Sequence, residues 1–181
     1  MELSKFDYDL EEDRIAQRPK RPRDESKLFF LGKDEKRHMT FKDILSFLQE
    51  GDLLVKNSSK VLPAKVEGKK DTGGKIEVLF HRETEEGWKC LISGSNIKEG
   101  RIVRLGGEEF EVLKDQEEGF FVLDCDDPYQ LMKEHGEMPT PPYIKEEIEE
   151  DREYQTIYAE EEGSVAAPTA GFHFSEELLE R

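Results

Sequence analysis

The sequence has little cysteine and no long apolar segment. Its two cysteines, Cys90 and Cys125, lie in apolar runs with no second thiol or histidine at metal-ligand spacing, so we expect two buried thiols and no bound metal. No window approaches the roughly 18 consecutive apolar residues of a membrane-spanning helix, and the first residues lack the basic-then-apolar pattern of a signal peptide. These absences predict a cytoplasmic protein with no membrane attachment.

Signature motifs of several large enzyme classes are also missing. The chain contains no Walker phosphate loop, Rossmann glycine triad, nucleophile elbow, His-Glu-x-x-His or Cys-x-x-Cys. The sequence therefore gives no support to nucleotide hydrolysis, hydride transfer, serine-type acyl transfer or zinc chemistry.

Charge is abundant but unevenly distributed. The 181 residues include 27 Lys and Arg against 43 Asp and Glu, a formal net charge of −16, and the acidic residues are concentrated toward the end. Two basic tracts remain, at residues 14–42 and 54–75. A polyanion such as RNA can dock on such tracts, because phosphate affinity depends on local cations and counterion release. Solvated surface faces are the alternative explanation.

The apolar pattern predicts one clear helix followed by many short strands. The helix has Thr40 as its N-cap and Gly51 as its stop. Turn residues divide the next stretch into short runs at intervals of roughly 8 to 12 residues, which is typical of a small closed sheet or barrel. With the strand before the helix, the predicted strands are 27–31, 52–56, 61–66, 75–81, 88–92, 101–105, 110–113 and 120–123.

The remainder is predicted to be less regular. A short helix begins after Asp127-Pro128 and ends at Gly136. Three prolines make residues 138–144 an extended connector. Ser175 caps a helical start that is too short to be stable alone, which suggests that the sequence is part of a longer protein.

Four stretches carry more specific polar groups than folding requires. A polar cluster at 57–60 is expected at the carboxyl end of strand 52–56, where hydroxyls, an amide and an ammonium suit ribose, phosphate or carboxylate. The glycine pair in residues 72–78 admits a phosphate or base edge, or simply forms a hairpin turn. Residues 153–158 can stack on a base, and residues 163–174 place His173 between two phenylalanines, where burial lowers its pKa. A capped turn and satisfied core residues are the alternatives.

Taken in order, these stretches resemble the S-adenosylmethionine:tRNA ribosyltransferase-isomerase family of queuosine biosynthesis. The resemblance is carried by residues 6–10, 51–65, 72–79, 138–144, 154–159 and 166–174. Family members are about twice as long, so the chain is similar to their N-terminal half. The family's Asn-Asp/Asn-Thr-Arg is here Asn57-Ser-Ser-Lys60, and Lys60 lacks the fork geometry of arginine.

The resemblance implies an α/β plus β fold. An α/β domain built from both chain ends would comprise residues 1–59 and 145–181, continuing beyond this chain. A small β-barrel domain, residues 60–144, would be inserted between them.

The resemblance also implies an enzyme and its reaction. The ribosyl moiety of S-adenosylmethionine is transferred and isomerised onto 7-aminomethyl-7-deazaguanine in tRNA, which gives epoxyqueuosine, adenine and methionine. S-adenosylmethionine is then a consumed substrate, no cofactor is needed, the tRNA anticodon loop is the partner, and a monomer is expected.

Roles follow for residues that match the family motifs. His173 is the candidate proton donor or acceptor. Thr169 is the second catalytic candidate, and together with the backbone of the small residues around it, it would border the bound nucleoside. The substrate-binding candidates are Asn57, Ser58, Ser59, Lys60, Tyr154, Gln155, Tyr158, Pro168 and Gly171. Two other functions stay open, a non-catalytic barrel that binds structured RNA and an S-adenosylmethionine-dependent RNA methyltransferase.

Overall fold

The computed structural model describes residues 2–116, 118–146 and 150–181, and its first part consists of short elements. Three 3-10 helices, Leu3–Phe6, Glu12–Arg14 and Arg23–Glu25, precede an antiparallel hairpin. Strand β1 is Lys27–Leu31, as predicted, and its partner β2, Lys36–Thr40, was not predicted. The alternation of partly buried and exposed residues along β1 shows that only one face of this hairpin is covered.

The predicted helix after Thr40 is present, but it is a 3-10 helix, Phe41–Phe47. The Thr40 backbone N–H and Oγ1 each donate to the Asp43 carboxylate at 2.8 Å, which fixes the beginning of the helix at the predicted residue. Its end is earlier than predicted, because the Gln49 N–H donates to the Asp52 carboxylate at 2.8 Å. With the bond from the Asp52 N–H to the Gln49 carbonyl at 3.0 Å, this hydrogen bond closes a turn that contains Gly51 in a positive-φ conformation.

The strand predicted at 52–56 is absent, and this prediction was wrong. Leu53 and Val55 are 86% and 82% exposed, and no regular structure forms between Asp52 and Ser58. An apolar run becomes a strand only where a neighbouring backbone pairs with it. The first paired residues come later, in β3, Ser59–Val61. Asn57 and Ser58 therefore precede a strand, whereas the sequence placed them after one.

A closed six-stranded β-barrel is the largest element, as the turn spacing predicted. Its strands run in the order β4, β5, β6, β9, β8, β7, and β7 pairs with β4 to close the ring. The predicted strand 61–66 divides into β3 and β4, because Pro63 between them has no N–H for a ladder. The barrel strands are β4 Lys65–Lys70, β5 Lys75–Thr84, β6 Gly87–Ser93, β7 Ile102–Leu105, β8 Glu108–Asp115 and β9 Phe120–Leu123.

The barrel interior is apolar and includes both cysteines. Alternate residues along β4, β5 and β6 are buried, and Cys90 and Cys125 lie among them as free thiols. Burial raises the pKa of both thiols, that of Cys125 to about 11, so both remain protonated at neutral pH. At the β4–β7 closure, a Cβ on Gly68 would lie 2.5 Å from the carbonyl oxygen of Arg104, so only glycine fits there.

The chain after the barrel returns to the segment that precedes it. Helix α1, Tyr129–His135, leads into β10, Gly136–Glu137, which pairs with β4. Strand β11, Glu161–Ser164, then pairs in parallel with β3. Helix α2, Glu176–Glu180, begins at the predicted N-cap, where the Ser175 hydroxyl accepts a hydrogen bond from the Leu178 N–H at 3.2 Å.

The mixed α/β plus β fold with a small barrel is thus confirmed. The β3–β11 pair joins segments on either side of the barrel, as expected when a barrel is inserted between two parts of another unit. The domain limits 1–59, 60–144 and 145–181 stay a prediction. Within the described ranges, we find no helix with the length and apolar character needed to cross a bilayer.

Candidate functional site

Gln155 connects two of the predicted polar stretches. Its side-chain amide donates to the Val61 carbonyl at 2.7 Å and accepts from the Val61 N–H at 2.9 Å. The Ser58 carbonyl also accepts hydrogen bonds from Glu160 and Glu161. The cluster at 57–60 and the stretch at 154–158 are therefore neighbours in space, although about a hundred residues separate them in sequence.

Arg23 connects the stretch 153–158 to the stretch 163–174. Its guanidinium donates to the carbonyl oxygens of Gln155 at 2.7 Å, Arg152 at 2.5 Å and Phe172 at 3.4 Å. One side chain from the beginning of the chain thus holds the backbone of both later segments. Arg23 was not among the predicted site residues, because its only signal in the sequence is that it lies in the basic tract 14–42.

Tyr158 and Gly171 are in close contact. A Cβ on Gly171 would lie 2.4 Å from Tyr158 Oη and 2.7 Å from Thr156 Cγ2, so glycine lets the 169–173 backbone approach both residues. The Tyr158 ring also meets the Phe174 ring at 6.1 Å and lies 4.3 Å from the Lys56 ammonium. Desolvation raises the pKa of Tyr158, which therefore stays protonated at neutral pH and can donate a hydrogen bond.

His173 is half-buried in an aromatic environment. It closes the 3-10 helix Thr169–His173, and its ring lies 5.1 Å from that of Phe41, with Phe174 packed edge-on against the same phenylalanine. Desolvation lowers the pKa of His173, and the positive charge of Arg23 lowers it further. Its imidazole is therefore mostly neutral at pH 7, as the sequence led us to expect.

Thr156 carries a buried hydroxyl that has no hydrogen-bond partner among the described residues. The residue is only 4% exposed, and its Oγ1 is not satisfied by any protein group there. Leaving such a group unpaired costs about 1–3 kcal/mol, so a hydroxyl of this kind is a natural partner for a bound water or ligand. Thr156 lies in the predicted polar stretch 153–158, but it was not among the predicted site residues.

Two of the predicted substrate-binding side chains, Asn57 and Lys60, already contact other protein groups. Asn57 Oδ1 accepts hydrogen bonds from the Ser59 N–H and hydroxyl at 2.7 and 2.5 Å, which is the capped turn that the sequence allowed as an alternative. Lys60 forms an exposed ion pair with Glu162 at 3.1 Å, across the β3–β11 pair. Both side chains still have hydrogen-bond donors available, since neither pairing uses all of them.

Tyr154 and the residues around Thr169 border the same cluster. The Tyr154 hydroxyl donates to the Pro139 carbonyl at 3.4 Å, and its ring meets that of Phe172 at 5.4 Å. Pro168 precedes the 3-10 helix and accepts a hydrogen bond from the Gly171 N–H at 2.8 Å, while Thr169 is exposed to solvent. The stretch 72–78, in contrast, forms the β4–β5 hairpin on the barrel.

Comparison with known proteins places the chain in a family. The family model described as "Queuosine biosynthesis protein" matches residues 3–181. A curated relative from Thermosipho melanesiensis, named S-adenosylmethionine:tRNA ribosyltransferase-isomerase, is 46% identical over all of this chain and 55% of its own length. A relative of the same name from Aquifex aeolicus is 44% identical over all of this chain and 57% of its own length. The chain belongs to the queuosine biosynthesis protein family.

A solved structure is also similar in sequence. The crystal structure of an S-adenosylmethionine tRNA ribosyltransferase from Thermotoga maritima shares 32% identity, covering 97% of this chain and 52% of that one, with a TM-score of 0.36. The chain thus spans about half the length of the curated relatives that it matches.

Proposed function

We propose that this protein transfers and isomerises the ribosyl moiety of S-adenosylmethionine onto 7-aminomethyl-7-deazaguanine in tRNA. Epoxyqueuosine, adenine and methionine are the products. The observation that carries the proposal is that three of the four polar stretches, 57–60, 153–158 and 163–174, meet around Gln155 and Arg23. Family membership and the names of the curated relatives support the same reaction.

The chemistry requires a base beside the ribose of the substrate. A sulfonium acidifies the neighbouring ribose methylene, so a positioned base can remove a proton there and open the sugar with loss of adenine. His173 suits the role of base because its lowered pKa keeps the imidazole neutral at pH 7. Adenine leaves readily only when it is protonated, so the protonated imidazole can then act as the acid.

The other side chains of the cluster would hold the nucleoside. The Thr156 and Tyr158 hydroxyls and the exposed Thr169 hydroxyl offer hydrogen bonds to ribose or adenine, and Tyr154 borders them as a stacking surface. Pro168 and Gly171 provide a backbone without bulky side chains. Asn57, Ser58 and Ser59 would orient the ribose or the methionine carboxylate, and Lys60 would neutralise that carboxylate or a phosphate.

The proposal also covers the substrates, the oligomeric state, the cellular compartment and the domain limits. The anticodon loop of tRNA would be the second substrate, S-adenosylmethionine would be consumed rather than retained as a cofactor, and the protein would act as a cytoplasmic monomer. Its α/β part would be formed by residues 1–59 and 145–181 around a barrel domain of residues 60–144.

Product analysis tests the proposal directly. The protein, expressed from its complete gene, is incubated with S-adenosylmethionine and tRNA that carries the 7-aminomethyl-7-deazaguanine precursor. We expect adenine and methionine to be released in equal amounts as the modified nucleoside accumulates. Release of S-adenosylhomocysteine would identify a methyltransferase, and tRNA binding with no released product would identify a binding module; either result contradicts the proposal.

A further inference from the structure

Three cations lie side by side on the outer surface of the barrel, far in sequence from the cluster around Arg23. Lys69 on β4 is the register partner of Lys75 on β5 and also of Arg104 on β7. All three residues are exposed. Adjacent strands are about 4.8 Å apart, so this cationic row spans roughly 10 Å across three strands.

The cationic row is unfavourable for the barrel by itself. Like charges directly opposite each other on neighbouring strands destabilise a sheet. Within the described ranges, neither the Lys69 nor the Lys75 ammonium forms an ion pair or hydrogen bond that offsets this repulsion, and Arg104 has only an exposed pair with Glu109 at 2.8 Å. Such an exposed pair contributes little, and it leaves other guanidinium donors available.

An open cavity of about 640 Å³ lies beside the cationic row. Lys69, Lys75 and Arg104 all line it, together with Gly68, Gly106 and Gly107. A Cβ on Gly107 would meet nothing within 4 Å, so the wall of the cavity is open at this residue. The acidic border of the cavity consists of Glu67 and Glu77, which are register partners of each other. Glu77 also forms an ion pair with Lys65 at 3.7 Å.

We propose that the cationic row Lys75–Lys69–Arg104 binds the phosphodiester backbone of the RNA substrate. The inference rests on the proposed function, which supplies a polyanionic substrate for a protein whose net charge is −16. An acidic protein binds RNA only where cations are concentrated locally, because phosphate contacts and counterion release provide the affinity. A phosphate backbone presents closely spaced negative charges, so several cations of the row can be neutralised at once. The acidic border, Glu67 and Glu77, would keep the backbone on the side of the row.

The test compares tRNA binding by the protein and by the double variant Lys69→Gln/Lys75→Gln, without S-adenosylmethionine, over a series of salt concentrations. We expect affinity to fall about 10-fold at low salt. The slope of log affinity against log salt should become shallower by about 1.4 to 1.8, because each lost phosphate contact contributes about 0.7 for a single strand and 0.9 for a duplex. Because the substitutions remove a repulsion, thermal stability should stay equal or rise, so misfolding would not account for the loss.

Lys114→Gln is the matched control, since it removes one exposed cation from β8, outside the cationic row. It should leave both affinity and slope nearly unchanged. Unchanged binding by the double variant, or an equal loss per charge in the control, would overturn the proposal.

A kinetic measurement separates this inference from the proposed reaction. The double variant should raise KM for tRNA with little change in kcat, because the cationic row binds substrate away from the reacting atoms. If the unaltered protein releases no adenine and methionine but the double variant still loses RNA affinity, the reaction is wrong and the RNA site stands. If turnover is normal and KM is unaffected by the double variant, the RNA site is wrong and the reaction stands.

Discussion

Replacing His173 with alanine is expected to lower turnover by about 100-fold or more, because a positioned proton-transfer group contributes that much to catalysis. Product release by the variant and by the unaltered protein would be compared at saturating S-adenosylmethionine and tRNA. His38→Ala is the matched control, since His38 lies exposed on β2 against Phe29. Near-normal turnover by the His173 variant would remove this residue from the mechanism.

The pH dependence of turnover should identify the form of His173 that begins the reaction. Burial and Arg23 hold its pKa below the ordinary value of 6.5, so the neutral imidazole predominates at pH 7. If that form is the base, turnover falls as the pH drops through the lowered pKa and is constant above it. A rate that instead rises with acidity in this range would show that the protonated form is needed first.

Gly171→Ala should destabilise the protein by about 1–3 kcal/mol, the usual cost of forcing a group into an occupied space. The new Cβ would meet Tyr158 Oη at 2.4 Å and Thr156 Cγ2 at 2.7 Å. Urea unfolding of the single variant would measure this change in the free energy of unfolding.

The same substitution in a Tyr158→Phe background tests whether this contact is the cause. Removing Oη relieves the closer of the two clashes, so the cost of Gly171→Ala should fall by at least about 0.5 kcal/mol, as expected for residues in contact. An identical cost in both backgrounds would show that Tyr158 and Gly171 do not touch.

Local signals in the sequence predicted the parts of the fold that local interactions determine. The Thr40–Asp43 pairing sets one helix start, Ser175 caps another, and turn glycines separate the barrel strands. The lowered pKa of His173 was also predictable, because an imidazole between two phenylalanines is expected in an apolar environment, although the aromatic ring that packs on it is that of Phe41.

Strand pairing between segments that are distant in the chain could not be predicted from the sequence. The apolar run at 52–56 has the composition of a strand, but it has no strand partner among the described residues and stays largely exposed. Ser59–Val61 becomes a strand because β11 lies beside it, and nothing in either segment indicates that neighbour. Arg23 resembles the other cations of its tract until its three carbonyl acceptors are known.

Titration of S-adenosylmethionine into variants of the polar stretches 57–60, 153–158 and 163–174 tests most directly whether these three form one site. Asn57→Ala, Tyr158→Phe and Thr169→Ala each remove a polar group from a different stretch, and Ser95→Ala removes an exposed hydroxyl from the barrel as a control. We predict a single binding event that each of the three variants weakens about fivefold, since a lost hydrogen bond is worth about 1 kcal/mol. Affinity that depends on one stretch alone, and is unchanged by variants in the other two, would contradict the account.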